Sequence, residues 1–564
     1  MIFLQAAEVV VRILENEGIQ TAFGIPGAAI NPVYKYLKDS RIKHYIARHE
    51  EGAIHAADGY FRASGRMALA ICTSGPGATN FVTGLYTAQI DSIPLIAITG
   101  QADSNWFGKE PFQCVDIATI AKPVAKATWC VTNPADIPEV MRQAFHTARS
   151  GRPGPVLIDL PLNVQTAEID FNPEGYKPLV VAKPGPDLEQ VAGAMDLIMK
   201  SKNPVMILGG GVIISGAAAE FKALAEYLSI PVIMTYMGKG GLAPDHPLNA
   251  GHAGIQVGQP IGNEVFLGSD LVIGVGCRFS DRHTGKLDTY VKGRKFIHID
   301  IEPSQIGRVV PAEVGIVSDA KLALVALLDE AKKRGYHPAP GDRVKALPER
   351  RKQLARKTDY DNSPIKPQRV YEEINKFFPE NTMFTTGCGL TQIWSGQLQE
   401  IKLPRRYLPS GGAGTLGYEL PAAVGAKIAC PKDPAVVVVG DAGLLFMIEE
   451  LGMAGQHNVP VIVIVVNNGY LSLIRQNQKY AYQFEHGVSL WYNEDLSKAQ
   501  VYPDNVKIAE GFGAKAERVM KMEDLPKAFA RALNSKVPYL IDVVVERETD
   551  CSMGGSIDGV KEFV

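Results

Sequence analysis

The sequence predicts an α/β protein of three domains, each a mostly parallel sheet flanked by helices. Apolar runs rich in β-branched residues, such as VVVV at 436–439 and VIVIVV at 461–466, alternate with helix-like segments. Two aperiodic stretches interrupt this alternation, and 564 residues are enough for three or four domains. We expect domains at 1–170, 188–340 and 366–546, a linker at 171–187, a connector at 341–365 and a C-terminal tail at 547–564.

The composition is that of an ordinary globular protein, with 46% hydrophobic residues and a net charge of −2. The sequence has no long basic run, so no nucleic-acid partner is predicted. It also has no apolar stretch long enough for a membrane span. The first twenty residues predict an amphipathic helix without the basic region of a signal peptide. The seven cysteines are scattered and never spaced CxxC, so we expect reduced thiols in a cytoplasmic protein.

In the first domain, strands are predicted within TAFGIPG, ALAICTSGPG, PLIAITGQ and PVLIDLP. Glu50 lies where a further strand, in HYIARHE, meets a helix rich in small residues. By itself, this carboxylate is better explained as a helix-start group favoured by the helix dipole. TSGPGATN at 73–80 and ITGQ at 98–101 could form the wall of a site for an aromatic ring, or could be plain turns.

In the central domain, strands are predicted within PVMILGGGV, IPVIMTY, LVIGVGCRF and KFIHIDIEP. The LGGGV segment at 208–212 suggests dinucleotide binding, but it lacks the third glycine of the GxGxxG pattern. Taken alone, it is a weak signal.

In the third domain, a predicted strand stops at Asp441, which lies between Gly440 and Gly443, and a helix is predicted in LLFMIEELGMAG at 444–455. A strand, a glycine-containing turn and a helix N-terminus commonly hold phosphate, and an aspartate there requires a cation between the two anions. Asn467 and Asn468 end the next predicted strand, at the same sheet edge if the strands are parallel. Carboxylate, amide, carbonyl and phosphate oxygens are ligands suited to Mg²⁺. The alternative is an ordinary turn in which Asp441 caps the helix.

Five motifs together carry a family resemblance: HEEGAIHAADGY, TSGPGATN, GRPGPVLIDLP, GAGTLGYELPAAVGA and the pair GDA…NN. Over nearly the whole chain, and in the same domain order, they resemble the thiamine-diphosphate-dependent decarboxylases and carboligases. The resemblance implies that Asp441, Asn468 and the carbonyl group of Tyr470 hold Mg²⁺. It assigns the remaining contacts of thiamine diphosphate to Pro26, Pro76, Asn80, Gly389, Leu390, Thr391, Gly440, Ala442 and Gly443.

The same resemblance implies roles at the reacting end of the cofactor. Leu416 would force the cofactor into its bent shape, and Gly414 would accept a hydrogen bond from the aminopyrimidine. Glu50 would contact the pyrimidine nitrogen and promote removal of the thiazolium proton, and Gln113 would lie near the reacting atoms. The family divides each site between two subunits, which implies a symmetric dimer or tetramer with active sites at the interface.

The central domain resembles the flavin-binding domain of acetohydroxyacid synthases and glyoxylate carboligases. The resemblance implies a structural FAD, since carboligation involves no net redox change, and the alternative is a vestigial domain that binds nothing. It assigns the flavin contacts to Arg152, Gly209, Gly210, Gly211, Thr235, Met237, Arg278, Arg282, Asp300, Ile301, Asp319 and Ala320.

Motifs such as NNGYLSLIRQNQ and RFSDRHTG resemble the glyoxylate carboligases, with Leu473 and Ile474 lining a small acceptor pocket. This implies joining of two glyoxylates to tartronate semialdehyde with loss of CO₂. Glu50 departs from that subgroup, which typically has valine there, so acetolactate synthesis or a related aldehyde carboligation with other 2-oxoacid substrates stays open. A pyruvate-oxidase-like flavoenzyme and a non-enzymatic nucleotide-sensing scaffold are the remaining alternatives.

Overall fold

The computed structural model describes residues 2–491 and 503–563. Within these residues the chain forms three six-stranded sheets whose neighbouring strands are all parallel, and a separate antiparallel pair. The predicted fold class, three parallel-sheet domains flanked by helices, is confirmed.

The strands are numbered in chain order. The first sheet and the antiparallel pair β1–β8 contain β1 Phe3–Gln5, β2 Thr21–Gly24, β3 Lys43–Ile46, β4 Leu69–Cys72, β5 Ile96–Gln101, β6 Ala127–Cys130, β7 Val156–Pro161 and β8 Glu168–Asp170. The second sheet contains β9 Pro204–Leu208, β10 Val232–Met234, β11 Asn249–His252, β12 Leu271–Val275, β13 Lys295–Asp300 and β14 Val314–Val317. The third contains β15 Met383–Thr386, β16 Tyr407–Pro409, β17 Ala435–Gly440, β18 Ile462–Asn467, β19 Lys515–Val519 and β20 Tyr539–Val544.

The strand orders are β3-β2-β4-β5-β7-β6, β11-β10-β9-β12-β13-β14 and β16-β15-β17-β18-β20-β19. Each order reverses direction near its centre, where crossover helices pass to opposite faces of the sheet. Ligands of open α/β sheets bind at such positions, beyond the carboxyl ends of the strands.

The helices are also numbered in chain order. Those of the first domain are α1 Ala6–Asn16, α2 Asn31–Leu37, α3 Glu50–Ser64, α4 Pro76–Thr79, α5 Phe81–Ile90, α6 Ile117–Ala121, α7 Ile137–Arg149 and α8 Leu162–Thr166. The central segment contains α9 Leu188–Lys200, α10 Gly210–Ser215, α11 Ala218–Leu228, α12 Pro260–Leu267, α13 Asp281–Thr284, α14 Leu287–Val291, α15 Ala320–Lys333 and α16 Asp342–Gln353. The third domain contains α17 Pro367–Phe377, α18 Leu390–Leu398, α19 Glu419–Ala429, α20 Asp441–Leu445, α21 Leu451–Gln456, α22 Ser472–Asn477, α23 Asn505–Gly511 and α24 Leu525–Leu533.

Short 3₁₀ turns occupy Ser104–Trp106, Pro134–Asp136, Pro173–Gly175, Tyr236–Gly238, Pro303–Gln305, Ile448–Glu450 and Met522–Asp524, and a π-helical turn occupies Gln478–Tyr482. Among the described residues, no helix is both long and apolar enough to cross a membrane.

The valine run of β17 is buried on both faces, as its composition predicted. Val437 and Val439 belong to a core that the third domain shares with the first, whereas Val436 and Val438 belong to the third domain's other core. A strand covered on both sides needs apolar residues at successive positions, which explains the absence of alternation.

The first and third domains pack together through helices α3 and α19. A Cβ atom at Gly59 would lie 2.0 Å from the carbonyl oxygen of Ala422, and one at Gly425 would lie 1.9 Å from that of Ala56. Only glycine permits this approach of two helix backbones. The small residues that follow Glu50 in the sequence therefore serve contact between domains.

One local prediction is wrong. The segment LLFMIEELGMAG suggested a continuous helix, but α20 ends at Leu445 and α21 begins at Leu451, with a 3₁₀ turn at Ile448–Glu450 between them. The break turns Glu450 toward the first domain, where its Oε1 accepts hydrogen bonds from the backbone N–H groups of Arg48 (3.0 Å) and His49 (2.9 Å). This contact between domains overrides the local helical pattern.

The C-terminal segment returns from the third domain to the central one. Gly554 donates its N–H to the carbonyl of Ile255 (2.9 Å), and Lys286 donates to that of Gly555 (3.0 Å). Arg356 donates through Nε and Nη2 to the two carboxylate oxygens of Glu562, each at 2.8 Å. The tail therefore packs along the central domain.

Candidate active site

Asp441 and Asn468 lie at the carboxyl ends of two adjacent strands, as their sequence context predicted. Strands β17 and β18 are paired in parallel, with Gly440 opposite Val466. The Asp441 carboxyl group is buried, and the backbone N–H of Gly469 faces it. The two candidate metal ligands therefore share one edge of the third sheet.

The environment of Asp441 suits a cation. Burial, together with the nearby charge of Asp542, raises the pKa of the Asp441 carboxyl to about 7, against the opposing effect of backbone N–H groups. Its Oδ2 has no hydrogen-bond partner among the described residues. A buried carboxylate oxygen without a partner is costly, and a divalent cation beside it would remove that cost.

Hydrogen bonds at both ends of its amide hold the side chain of Asn468 in one orientation. Its Nδ2 donates to the carbonyl oxygen of Arg547 (3.1 Å), which fixes the orientation of the amide. The Ser472 hydroxyl lies 2.8 Å from Asn468 Oδ1 and 3.1 Å from the carbonyl oxygen of Tyr470, so both candidate oxygens face one hydroxyl group.

The donor set at this edge is one carboxylate and two neutral oxygens. Among residues 2–491 and 503–563, no group of three or more His, Cys, Asp or Glu side chains could hold a metal ion. The oxygen atoms of Asp441, Asn468 and Tyr470 are of the chemical type that Mg²⁺ prefers, with phosphate oxygens able to complete the shell.

The loop before helix α18 has the geometry of an anion site. Gly389 has φ = +102°, and a Cβ atom there would meet no atom within 4 Å. No side chain caps the N-terminus of this nine-residue helix, so its first N–H groups are available to an anion. The side chains of Leu390 and Thr391 are buried, and a Cβ atom at Gly440 would lie 3.9 Å from Oγ1 of Thr391, so this residue lies next to the turn before α20.

Gly414 and Leu416 lie between this loop and helix α20. A Cβ atom at Gly414 would lie 3.6 Å from the Cys388 sulfur, and one at Gly443 would lie 3.9 Å from Cδ2 of Leu416. The structure thus brings together Gly389, Gly414, Leu416, Ala442 and Gly443, the third-domain residues that the sequence assigned to one cofactor.

The sequence analysis assigned no role to Glu419, which is buried beside these residues. A Cβ atom at Gly443 would lie 3.2 Å from its Oε1. Burial raises the pKa of Glu419 to about 7, although the N–H groups of Gly387, Cys388 and Gly417 face the carboxyl group and moderate the rise. Neither oxygen has a hydrogen bond of good geometry among the described residues.

This buried acid predicts a pH-dependent stability in the cofactor-free protein. Because the folded-state pKa is about 7 and the ordinary value is 4.5, the folded protein retains a proton that the unfolded chain releases as pH rises between these values. Stability contributed by this group therefore falls as pH rises from about 4.5 to about 7. We expect Glu419→Gln to be more stable than the parent at pH 8, by up to about 3 kcal/mol, and to lose most of that advantage at pH 5. Melting temperatures of both proteins from pH 5 to pH 8 test this, and a constant difference would contradict it.

Glu50 lies at the edge of the first sheet, as the first residue of helix α3. Its Oε2 accepts a hydrogen bond from Nδ2 of Asn80 (2.9 Å), and a Cβ atom at Gly77 would lie 3.2 Å from its Oε1. Pro26 and Pro76 are exposed at the same edge. Gln113 has φ = +56° and packs against Gly75, where a Cβ atom would lie 2.8 Å from that of Gln113.

The groups that the prediction assigns to the two ends of one cofactor make no direct polar contact with each other. Among the described residues, no hydrogen bond or ion pair connects Glu50 with Gly414, Leu416 or Asp441.

A cavity of about 780 Å³ lies between the three domains. This volume is within the range of small-molecule and cofactor sites. Most of the residues predicted to bind flavin line it: Arg152, Gly210, Gly211, Thr235, Met237, Arg278, Arg282, Asp300, Ile301, Asp319 and Ala320. The cavity also reaches Gly414, Leu473 and Cys388 of the third domain.

The charges in this cavity suit an anionic ligand. Arg278 and Arg282 make no hydrogen bond or ion pair with any residue of the described ranges, and both line the cavity. Asp300 is the last residue of β13, and the end of a strand is the usual position for a group that binds ribose hydroxyls. Burial raises the pKa of its carboxyl group. Unpaired guanidinium groups beside such an acid fit a nucleotide with phosphate groups.

Three of the predicted flavin residues have structural contacts of their own. Gly209 does not line the cavity, and a Cβ atom there would lie 2.1 Å from the carbonyl oxygen of Gly276. Asp319 caps helix α15 and pairs with Lys183 (3.0 Å). The Thr235 hydroxyl accepts the N–H of Gly238 (3.2 Å).

Sequence reasoning missed several cavity residues, among them Arg62, Asp91, Gly411 and Gly412. Asp58 and Arg62 are spaced i, i+4 in the sequence, which is the signal of a helical ion pair, but nothing marks Asp91 as their partner. Only the tertiary structure brings these segments together.

The fold defines a three-domain α/β protein with polar groups gathered at the carboxyl ends of its outer sheets and a cavity between its domains. Three models of thiamine pyrophosphate enzymes match the chain: the N-terminal TPP binding domain at residues 4–120, the central domain at 191–327 and the C-terminal TPP binding domain at 387–543. The chain belongs to the thiamine pyrophosphate enzyme family, and its resemblance to that family is confirmed.

Similar proteins place it among the carboligases of the family. It is 47% identical to a glyoxylate carboligase of Escherichia coli O157:H7, over 99% of this chain and 96% of that protein. It is 39% identical to a probable acetolactate synthase large subunit of Methanocaldococcus jannaschii, over 96% of this chain and 92% of that protein. It is also 39% identical to an acetolactate synthase large subunit of Corynebacterium glutamicum, over 96% and 87%.

Proposed function

We propose that this protein condenses two molecules of glyoxylate to tartronate semialdehyde and CO₂. The reaction takes up one proton and involves no net redox change. The observation that carries the proposal is the partnerless Asp441 oxygen beside the oriented Asn468 amide, in a chain 47% identical to a glyoxylate carboligase.

Thiamine diphosphate and Mg²⁺ would be held at the third sheet. Asp441, Asn468 and the Tyr470 carbonyl group would bind the cation, while the N-terminus of α18 and the α20 turn would bind the diphosphate. When bound, thiamine diphosphate supplies the carbanion that adds to the carbonyl carbon of a 2-oxoacid. The residues of this chain orient that group, exclude water and move its protons.

Glu50 is the proton-handling residue in this proposal. Its Oε2 is engaged by Asn80, so the carboxylate is fixed in one orientation at the start of α3. A positioned carboxylate can exchange protons with a pyrimidine nitrogen placed against it. Gly414 would accept a hydrogen bond through its carbonyl oxygen, and Leu416 would support the ring from beneath.

Each active site would be shared between two copies of the chain. No hydrogen bond or ion pair joins Glu50 to Asp441 among the described residues, and apolar side chains close to Asp441 in the third domain are exposed, including Phe446 (55%) and Ile474 (51%). A symmetric dimer, or a tetramer of two dimers, would bring the edges together. The seven cysteines of the chain form no disulfide in the structure, which suits a reducing compartment such as the cytoplasm.

FAD would occupy the cavity between the domains as a structural group. The unpaired Arg278 and Arg282 support binding of its phosphates, and Asp300 supports binding of ribose. Leu473 lines the same cavity and Ile474 lies next to it in the sequence, so together they would bound a small acceptor pocket.

A second candidate is acetolactate synthesis from two pyruvates. It is favoured by Glu50, which replaces the valine expected of a glyoxylate carboligase, and by the 39% identity to acetolactate synthases. A carboxylate at this position would serve pyruvate as well as glyoxylate.

Product analysis separates the two candidates. With thiamine diphosphate, Mg²⁺ and FAD supplied, we expect glyoxylate alone to yield tartronate semialdehyde and CO₂ without oxygen uptake, at a kcat/KM at least about 10-fold above that for pyruvate. One extra methyl group in a small pocket changes kcat/KM by about this factor or more. Higher kcat/KM with pyruvate, giving acetolactate, would replace the first candidate with the second, and oxygen uptake would contradict both.

A further inference from the structure

The loop that carries Gly414 and Leu416 is fastened to the first domain by a buried ionic cluster. We define this cluster as Asp58, Arg62 and Asp91. Arg62 bonds Asp58 through Nε and Nη2, and its Nη2 lies 3.1 Å from Asp91 Oδ2. All three side chains are at most 5% exposed.

The cluster holds the loop at its start and at its end. Nη1 of Arg62 donates to the carbonyl oxygen of Pro409 (2.8 Å), and the N–H of Gly411 donates to Asp91 Oδ2 (3.1 Å). At the far end, the Tyr418 hydroxyl donates to Asp58 Oδ1 (3.0 Å). Residues 410–418 therefore take their position from side chains of another domain.

The same groups form part of the wall of the central cavity. Arg62, Asp91, Gly411 and Gly412 all line it. A Cβ atom at Gly412 would lie 2.6 Å from Asp91 Oδ1, so the loop backbone and the carboxylate are in direct contact. A ligand in the cavity would lie against both.

The charge of a ligand would reach the cluster through Arg278. This arginine lines the cavity, has no partner among the described residues, and is one of the cations whose charge acts on the Asp91 carboxyl group. No hydrogen bond or ion pair joins Arg278 to Asp91 among the described residues, so the two charges act on each other only through space. A phosphate group that pairs with Arg278 would offset this positive charge, and exclusion of water from the filled cavity would strengthen the bonds that Asp91 makes with Arg62 and Gly411.

We infer that the cluster is a positioning device that couples the central cavity to the thiamine loop, so that a dinucleotide and thiamine diphosphate bind cooperatively. The inference rests on the proposed flavin and thiamine sites. This coupling would give a physical role to a cofactor that takes no electrons. The bound dinucleotide would restrict residues 410–418 to the position in which they contact thiamine diphosphate. Coupling of this kind is reciprocal, so each ligand strengthens binding of the other by the same factor.

The test measures binding in the full-length protein. Thiamine diphosphate with Mg²⁺ is titrated calorimetrically into the protein with and without bound FAD. We expect at least about 5-fold tighter binding with FAD, within the usual range of such coupling. Hydrogen exchange in residues 410–418 is expected to slow when FAD alone is added, as ordering of the loop requires.

Two variants distinguish loss of the coupling through the cluster from a general loosening of the loop at residues 410–418. Asp91→Asn removes the negative charge that faces Arg62, keeps an oxygen that can accept a hydrogen bond, and leaves a neutral Asp58–Arg62 pair, so the fold is expected to persist. FAD should still bind, but the coupling should fall below about 2-fold. Thr87→Val is the matched control because its hydroxyl bonds Thr415 of the same loop (2.6 Å) while Thr87 does not line the cavity. It should weaken thiamine diphosphate binding equally with and without FAD, and so retain the coupling.

The outcomes are distinct. Binding of FAD without any change in thiamine diphosphate affinity or loop exchange overturns the inference alone. Failure of FAD to bind overturns both the inference and the proposed flavin site, and leaves the carboligase proposal in place. Equal loss of coupling in Asp91→Asn and Thr87→Val would overturn the assignment to the cluster. The titrations and exchange on the unmodified protein decide the central claim even if Asp91→Asn does not fold.

Discussion

Replacement of Glu50 by valine is expected to slow hydrogen–deuterium exchange at thiazolium C2 of bound thiamine diphosphate by at least about 100-fold, with little change in cofactor affinity. A positioned acid–base group contributes about 10² to 10⁴ in rate, and Glu50 is fixed for that purpose by Asn80 at 2.9 Å. Exchange measured by NMR after quenching the holoprotein reports this step before any substrate is added.

Glu50→Gln and Glu51→Gln sharpen the experiment. The first keeps the shape of the side chain and an oxygen for Asn80 but removes the charge, so it should behave like the valine variant. The second changes the neighbouring carboxylate, which bonds His55 at 3.2 Å, and should exchange at the parent rate. Normal exchange in Glu50→Val would remove Glu50 from proton transfer.

Replacement of Asp441 by alanine is expected to weaken Mg²⁺-dependent binding of thiamine diphosphate by at least about 100-fold. Loss of a group that only supports a metal ligand typically costs 10- to 100-fold in affinity, and loss of the single carboxylate in this set should cost no less. The affinity is measured calorimetrically at saturating Mg²⁺, and activity with glyoxylate should fall in parallel.

Two control variants distinguish the loss of Mg²⁺ binding in Asp441→Ala from a loss of the fold. Asp441→Asn keeps the shape and removes a buried carboxyl group whose pKa is raised to about 7, so its cofactor-free form should melt no lower than the parent at pH 8. Glu449→Ala changes a carboxylate of the following turn and should leave affinity unchanged. Tight, Mg²⁺-dependent binding in Asp441→Ala would refute the ligand assignment.

The placement of Asp441 and Asn468 at one edge was predictable because both residues come from strand ends. Asp441 and Asn468 follow two β-branched runs, and parallel pairing places such ends at one edge whatever the rest of the chain does. The loop residues Gly389 and Gly414 required the family resemblance, because a glycine in a loop carries no chemistry of its own. The separate helices at Asp441–Leu445 and Leu451–Gln456 were missed because Glu450 is drawn to the backbone of Arg48 and His49, a contact with no local signal.

The sequence by itself determined the sheets, the family and the identities of the groups at each strand end, because burial on two faces and strand-end chemistry are local properties. The tertiary structure decided what those groups face. It placed Arg62 beside Asp91, turned unpaired arginines toward a common cavity, and paired Glu50 with Asn80. These relations depend on how helices α3 and α19 pack and how the loops cross between domains, and such long-range contacts leave no periodic trace in a sequence.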